Sequence, residues 1–294
     1  PTEVPLSATR LEAWAACGFR YFLSYVLDVA DRDQPERTID LGPLDKGSGI
    51  HRVLELFIAE AIDAGPPTPD EPWTDRHHRR IEELAEAEFA DYEARGRTGR
   101  PVHWQLTKAD ILATLHEFLL ADDRHRAANQ ATPERVELPF GLGGAEPVRV
   151  TLPDGRPMTF RGLADRVDRL ADGTLLVLDY KTSKGGYDDI EEGDPVAGGT
   201  TLQLGLYAEA AQQALGADRV AARYWLVNTA ASFRSPGYDW TPERRDRFLE
   251  VLTTIADGIS DGLFASVPGE WDGFRGTHTA CTYCDFDPVC PRDR

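Results

Sequence analysis

The sequence predicts an α/β protein whose first half is mostly helical and whose second half contains a sheet. Apolar residues recur at three- and four-residue steps up to about residue 130, which is typical of helices. From Val136 the period changes to two and tight turns separate the segments, which is typical of antiparallel strands. The length of 294 residues fits one α/β core carrying a helical insertion as well as it fits two domains.

Four helices are predicted in the first half. Ser7 is suited to cap the first helix, whose apolar stripe runs to Val26 and which therefore carries Cys17. A loop rich in Asp and Pro ends near Gly49, and the helix that follows it has His51 near its start. The other two helices are predicted over 75–95 and 107–128.

Strands and two more helices are predicted in the second half. Strands are predicted over 148–152, 158–170 and 174–181, with turns at 153–155 and 172–173 between them. A glycine-rich, acidic loop then leads to a helix over 202–215 and a strand over 220–227. Thr241 and Pro242 are typical of a helix start, and beyond Phe264 the chain is predicted to be irregular.

The net charge of −18 argues against a protein that binds nucleic acid mainly by general electrostatic attraction, because phosphates require Lys and Arg on the contact face. DNA remains open as a substrate, since bound divalent cations reverse the local field around carboxylates. The sequence has no signal peptide and no apolar run near the roughly 20 residues of a membrane helix. We therefore expect a cytoplasmic protein, and Pro1 in place of Met indicates a fragment or a processed chain.

The four cysteines form a candidate metal or cluster site. Cys17 stands alone, whereas Cys281, Cys284 and Cys290 follow the pattern C-x2-C-x5-C. Zinc and a [4Fe–4S] cluster both accept four thiolates, but the 264 positions between Cys17 and Cys281 differ from a zinc ribbon and favour a cluster. Ordinary buried thiols are the alternative. Because the tail has few apolar residues, we expect little besides a cluster to hold it down.

A second candidate site lies on adjacent predicted strands. Asp165 is followed fourteen residues later by Asp179-Tyr180-Lys181. Strand alternation places Asp179 and Lys181 on one face, and the neighbouring strand can bring Asp165 alongside. Carboxylates that hold Mg²⁺ or Mn²⁺ and a lysine that stabilises developing charge would suit phosphodiester hydrolysis. A surface ladder of cross-strand ion pairs is the alternative.

Three further residues are candidates for the same site. His51 can offer a neutral imidazole to the metal, although a histidine near a helix end is more often a cap or a surface residue. Gln203 and Tyr207 lie one helical turn apart and therefore project together.

Together these segments resemble the RecB-like branch of the PD-(D/E)XK nucleases, specifically the iron–sulfur members found in AddB-type helicase–nuclease subunits and CRISPR-associated adaptation nucleases. The resemblance spans nearly the whole chain in order. Two departures are Gly18 and Gly205, where the family often has proline. The matching segments are Leu6 to Phe22, Gly49-Ile50-His51, Gly162 to Asp168 ("G-x-x-D-R-x-D"), Asp179 to Thr182 ("D-Y-K-T"), Gln203 to Tyr207 ("Q-x-x-x-Y") and the tail cysteines.

The resemblance implies a restriction-endonuclease-like fold, with a central mixed sheet flanked by helices and an iron–sulfur clasp joining the two ends. A single nuclease domain over 1–294 would comprise a cluster-ligand segment (1–45), a helical region (46–130), the nuclease core (131–264) and a cluster-ligand tail (265–294). The implied metal ligands are His51, Asp165, Asp179 and the Tyr180 carbonyl, and the implied catalytic lysine is Lys181. Gln203 and Tyr207 would position DNA or the elements of the site. The implied [4Fe–4S] ligands are Cys17, Cys281, Cys284 and Cys290.

The implied function is Mg²⁺- or Mn²⁺-dependent hydrolysis of DNA, as an exonuclease acting on single-stranded ends in repair or recombination. The sequence has no Walker A motif, so a helicase motor would lie upstream or on a separate partner protein. Two other classes stay open. A non-catalytic DNA-binding or scaffold module would usually lack Asp165, Asp179 or Lys181, which are all present. The other class is a zinc-stabilised interaction domain, which iron content would separate from both the nuclease and the scaffold module.

Overall fold

The computed structural model describes residues 4–29, 40–187, 190, 193–282, 284–286 and 289–291. Within them the chain forms a central five-stranded sheet with helices on both faces. The helices are α1 (Ala8–Ala16), α2 (Gly18–Tyr21), α3 (Pro43–Ala64), α4 (Asp75–Ala94), α5 (Pro101–Asn129), α6 (Gln203–Leu215) and α7 (Pro242–Ser260). The strands are β1 (Ala131–Phe140), β2 (Val148–Thr151), β3 (Pro157–Phe160), β4 (Gly162–Leu170), β5 (Leu175–Lys181), β6 (Val220–Leu226), β7 (Gly237–Asp239), β8 (Trp271–Asp272) and β9 (Thr277–His278).

The central sheet has the strand order β1-β4-β5-β6-β7. β4 pairs antiparallel with both β1 and β5, as expected for strands joined by tight turns. β5 and β6 run parallel because α6 crosses over between them, and β7 returns antiparallel to β6. The predicted fold class, a mixed sheet flanked by helices, is therefore confirmed.

Two apolar cores lie on opposite faces of this sheet. Leu175 and Val177 of β5 belong to the core beneath α1, α6 and α7, whereas Leu176 and Leu178 belong to the core beneath α3, α4 and α5. The alternation of side chains along a strand accounts for this division. Since helices cover both faces, β5 is buried along nearly its whole length.

The first predicted helix is interrupted at Cys17. This residue is the C-cap of α1 in an extended conformation, with φ −165° and ψ 110°, and α2 begins directly after it. A π-helix over Phe22–Val26 follows. The prediction that a continuous helix carries Cys17 is therefore wrong, and the thiol lies in a break between two helices. The predicted cap is confirmed, because the hydroxyl of Ser7 accepts the Arg10 N–H.

α3 and α5 both begin earlier than predicted. Each has proline in its first turn, Pro43 in α3 and Pro101 in α5, where the fixed φ suits the helix and the missing N–H has no intrahelical partner. His51 therefore lies in the third turn of α3 rather than near its start, and the boundary between residues 45 and 46 falls inside this helix. No described helix is both long and apolar enough to cross a membrane.

The strand predicted over 158–170 is divided into β3 and β4. The backbone of Leu6 bonds to Thr159 and Arg161 at the junction, and β3 pairs with β2 in a separate sheet.

The segment after α7 is more ordered than predicted. The ring of Phe264 stacks on those of Tyr21 and Phe22, with centroid distances of 5.9 and 5.2 Å. β8 and β9 form a short hairpin, and Phe286 near the end is buried. The expectation that little besides a cluster holds this tail is therefore wrong, because apolar packing also anchors it.

Candidate active site

The candidate site lies at the carboxyl end of β5, where the last side chains of the strand alternate between the two faces. Asp179 and Lys181 share one face, with 2.5 Å between Asp179 Oδ2 and Lys181 Nζ. The Tyr180 side chain between them is buried in the opposite core. The structure therefore has the alternation predicted from the sequence.

Asp165 approaches this pair from the neighbouring strand β4. Its Oδ2 accepts the backbone N–H of Tyr180 at 2.7 Å. Burial raises the pKa of Asp165 well above its usual value, the Asp179 carboxylate raises it further, and the Tyr180 N–H opposes both. Two carboxylates that are buried side by side form an arrangement that a bound cation would stabilise.

His51 reaches the same place from α3. Its Nδ1 lies 3.4 Å from Asp165 Oδ2, and its ring meets that of Tyr180 edge-on at 5.8 Å. Burial lowers the pKa of His51, although the Asp179 charge and a hydrogen bond to the Tyr180 carbonyl oppose this. The imidazole is therefore held toward its neutral form, which is the form that ligates metals. Gly47 allows the close approach of α3, since a Cβ there would lie 3.1 Å from Thr182 Oγ1.

Lys181 is fixed from two sides. Besides its contact with Asp179, its Nζ donates to Gln203 Oε1 at 2.8 Å and lies 5.2 Å from the centroid of the Tyr224 ring. Burial would lower the pKa of Lys181, but the Asp179 carboxylate outweighs it and the pKa is raised. The ammonium is therefore kept charged.

Gln203 and Tyr207 do different things on α6. Gln203 contacts Lys181, whereas Tyr207 is buried and packs edge-on against Phe140 at 5.9 Å. Burial raises the pKa of the Tyr207 hydroxyl, and the nearby Asp179 and Asp165 raise it further. Gln203 therefore contacts the lysine, whereas Tyr207 lies near the two carboxylates.

Two glutamates that sequence reasoning missed lie beside this site. Glu12 of α1 accepts the backbone N–H groups at the start of α6. Glu137 of β1 lies opposite Asp165 in the sheet register, and burial together with the nearby Glu55 raises its pKa. Glu12 lies inside the matching segment Leu6 to Phe22, but the resemblance gives no role to it or to Glu137. The available signal for Glu12 was a single acid on the apolar first helix. The signal for Glu137 was a single acid between the apolar Val136 and Leu138.

An open groove gives solvent access to the site. Its walls include His51, Glu137 and Lys181. At Thr182 it meets a second groove, whose lining includes Lys46 and Lys184.

The donor types at the site fit a hard divalent cation. Carboxylate and carbonyl oxygens together with imidazole suit Mg²⁺ or Mn²⁺. Asp179 Oδ2 is buried, with the Lys181 ammonium 2.5 Å away. Among the described residues, no three His, Cys, Asp or Glu side chains are arranged as a metal-binding group. The set therefore fits a cation by its chemistry, while its side chains do not converge on one point.

The four cysteines are free thiols in the region where the first helices meet the tail, which we call the cysteine end. Cys17 Sγ accepts the backbone N–H of Val267 at 3.5 Å. Cys290 Sγ lies 3.2 Å from the Oγ of Ser266, the preceding residue. Burial raises the pKa of Cys284, and the nearby Cys281 and Cys17 raise it further. All four cysteines are therefore near one another, although they too are not arranged as a metal-binding group in the described part of the chain.

Several known proteins are similar to this chain. It is 33% identical, over 98% of its length, to an ATP-dependent helicase/deoxyribonuclease subunit of Symbiobacterium thermophilum, of which it covers 29%. Proteins of the same name from Moorella thermoacetica and Lacticaseibacillus casei are each 30% identical over 73% and 71% of the chain, which covers 18% and 17% of them. The chain thus spans less than a third of the length of these relatives.

Among solved structures, that of SSO0001 aligns with 93% of this chain and 94% of its own at 15% identity, but its TM-score of 0.32 is too low to carry an argument. The family model of the PD-(D/E)XK nuclease superfamily matches residues 5–291, which include all the side chains of the candidate site. The chain therefore belongs to the PD-(D/E)XK nuclease superfamily.

Proposed function

We propose that this chain is a Mg²⁺- or Mn²⁺-dependent nuclease that hydrolyses DNA, acting as an exonuclease on single-stranded ends. The observation that carries the proposal is the meeting of Asp165, Asp179 and Lys181 with His51 beside an open groove. The relatives named as helicase/deoxyribonuclease subunits support DNA as the substrate.

His51, Asp165, Asp179 and the backbone carbonyl of Tyr180 would hold the cation. Bound there, the cation would polarise a phosphate oxygen and lower the pKa of a water molecule. The lowered pKa of His51 leaves a ring nitrogen free to act as a ligand. Asp179 Oδ2 would exchange part of its contact with the Lys181 ammonium for the cation.

Lys181 would stabilise the negative charge that develops on the scissile phosphate. Asp179 keeps its ammonium charged, and Gln203 fixes its direction before substrate binds. A donor that is already oriented costs little reorganisation during the reaction. The contact between Gln203 and Lys181 supports a role for Gln203 in positioning the site rather than the DNA.

The two grooves that meet at Thr182 suggest a route for a single strand. Lys46 and Lys184 line the second groove, where Lys46 pairs with Asp110. A backbone phosphate could replace Asp110 as the partner of Lys46 and could also bind Lys184. Such cations matter because the chain as a whole carries −18. We infer that a strand end enters past these lysines and reaches His51 and Lys181.

A [4Fe–4S] cluster bound by Cys17, Cys281, Cys284 and Cys290 completes the proposal. Four free thiols at the cysteine end support it. Iron and sulfide analysis of anaerobically purified protein tests it, together with visible absorbance. About four irons per chain are expected, whereas one zinc per chain would contradict the proposal.

A helicase motor is the proposed partner. The relatives are named as helicase subunits, and the chain corresponds to less than a third of them. The motor would therefore belong to the same polypeptide or to a separate protein of the same complex.

The main experiment incubates end-labelled single- and double-stranded DNA with the purified chain and Mn²⁺ or Mg²⁺, with and without chelator. We expect single strands to shorten from the end, no cleavage in chelator, and none by Asp179→Ala. Metal-independent DNA binding without any cleavage would instead support a scaffold module.

A further inference from the structure

One carboxylate connects the first helix to the active site. Glu12 Oε1 accepts the N–H of Leu202 at 2.6 Å and that of Gln203 at 3.1 Å. These residues are the N-cap and the first residue of α6. Both N–H groups belong to the first turn, where the helix itself offers no acceptor, so Glu12 supplies one from outside the helix.

The helix end that Glu12 binds also contacts Lys181 through the side chain of Gln203. The backbone N–H of Gln203 donates to Glu12, while its side-chain Oε1 accepts from Lys181 Nζ at 2.8 Å. The position of that amide oxygen therefore depends on how firmly the first turn of α6 is held. Leu202 and Gln203 precede the point at which intrahelical hydrogen bonds could hold their own N–H groups.

The electrostatics of Glu12 also connect it to the site. Burial raises the pKa of Glu12 to about 7, and the Asp179 charge acts in the same direction. The two backbone N–H groups and the Lys181 ammonium oppose this rise. A buried carboxylate is costly unless it is hydrogen-bonded, and the two bonds to α6 meet that need.

The same helix leads to the cysteine end of the molecule. Cys17 is the C-cap of α1, five residues beyond Glu12. α1 thus touches both the cysteine group and the start of α6.

We propose that Glu12 is a positioning residue that fixes the Lys181 ammonium through the first turn of α6, and so links the cysteine end to the active site. The kinetic part of this inference rests on the proposed nuclease function. The structural part stands on the contacts alone.

Hydrogen exchange of the Leu202 and Gln203 amides in the metal-free chain tests the structural part. Glu12→Ala should speed their exchange by about tenfold to a hundredfold, since a hydrogen bond to a charged group is lost. Glu12→Gln should change it by less than about threefold, because its amide oxygen can accept the same bonds. Glu12→Asp, which shortens the side chain, replaces the alanine variant if that variant does not fold.

Trp14→Phe is the matched control on the same helix. It removes the bond from Trp14 Nε1 to the Leu263 carbonyl at 3.0 Å, which anchors α1 elsewhere. This variant should leave both α6 amides and DNA cleavage unchanged. If it accelerates the α6 amides as much as Glu12→Ala does, general loosening of α1 explains the effect and the proposal is overturned.

Kinetics test the link to Lys181. Glu12→Ala and Gln203→Ala should each lower kcat on single-stranded DNA about tenfold with little change in KM, and the double variant should be no slower than the slower single variant. Additive losses would contradict action through Gln203, and unchanged amide exchange in Glu12→Ala would overturn the proposal at any level of activity. A chain that cleaves no DNA but shows the amide response contradicts the proposed function and supports the contact.

Discussion

Strand β4 carries charged side chains on its two faces, and the aspartates of the two faces meet different partners. On one face Arg166 and Asp168 are fully buried, and the guanidinium bonds both carboxylate oxygens at 2.6 and 2.9 Å. Its remaining nitrogen donates to Asp122 of α5 at 2.6 Å. On the other face, Asp165 accepts a backbone N–H and lies beside a second carboxylate, Asp179.

The pKa shifts on the two faces run in opposite directions. Burial alone would raise the pKa of Asp168, but Arg166 and His125 outweigh it and lower the pKa. For Asp165, burial and Asp179 both raise the pKa. Because both aspartates are deeply buried, compensation by neighbouring charges, and not burial, distinguishes the structural carboxylate from the candidate catalytic one.

The set around Asp168 extends into the helical half of the chain. Asp122 Oδ2 also accepts from Arg126 Nε at 2.9 Å and from Trp73 Nε1 at 2.7 Å. Arg126 in turn donates to two backbone carbonyls of the segment before α4. These bonds join β4 to α5, so that the helical half and the sheet fold as one body around buried charges.

The largest expected effect is the loss of cleavage when the paired carboxylates Asp165 and Asp179 are altered. Asp165→Asn or Asp179→Asn should abolish detectable cleavage of single-stranded DNA, a loss of about a thousandfold or more, because each variant removes a charged side chain that we propose as a ligand of the cation. Thermal unfolding of Asp165→Asn should be unchanged or shifted upward, since one of two neighbouring buried carboxylates is removed, whereas Asp179→Asn also takes the counter-charge from Lys181 and should be less stable than Asp165→Asn. Wild-type cleavage rates in both variants would show that the site lies elsewhere.

The same substitution on the other face should affect stability instead. Asp168→Asn leaves Arg166 without a full counter-charge in a dry interior, and we expect a loss of about 3–5 kcal/mol in the free energy of unfolding. Chemical denaturation of Asp168→Asn and Asp165→Asn side by side measures the contrast. Equal stabilities of the two variants would refute the division between the faces of β4.

Sequence pattern predicted those parts of the fold and the site that depend on local periodicity. The alternation of Asp179, Tyr180 and Lys181 followed from strand geometry, and the tight turn before β5 placed Asp165 on the neighbouring strand. Thr241 was also a readable signal, because an N-cap followed by Pro242 starts a helix in most contexts, and α7 begins there.

The parts that depend on tertiary contacts could not be predicted. The break at Cys17 follows an unbroken apolar stripe, and Glu12 is 190 residues from its partner Leu202. Asp165 and Asp168 look alike in the "D-R-x-D" motif, and the partners they meet in the fold separate them: Arg166 and His125 for Asp168, and Asp179 for Asp165.

The glycine at position 18, where the family often has proline, also has a tertiary explanation. A Cβ at Gly18 would lie 3.0 Å from Phe264 Cα and 3.1 Å from the Leu263 carbonyl oxygen. The start of α2 is therefore pressed against the backbone that leads into the cysteine tail, and a side chain there would push the two apart.

The smallest expected effect tests whether the cysteine end contributes to stability, as Asp168 does, or to function, as Asp165 does. Cys17→Ser should remove the proposed cluster absorbance and cost about 2–4 kcal/mol. This is less than the roughly 5 kcal/mol that the chain-entropy model gives for a link spanning 264 positions, because Phe264 and Phe286 also hold the tail. Melting temperature and limited proteolysis at both ends measure the loss, and cleavage should fall only as the ends loosen. A cluster-free variant with wild-type melting temperature and protease resistance would instead show that the cluster, like Asp165, contributes to function rather than to stability. The cluster would then be a redox or sensing element rather than a clasp.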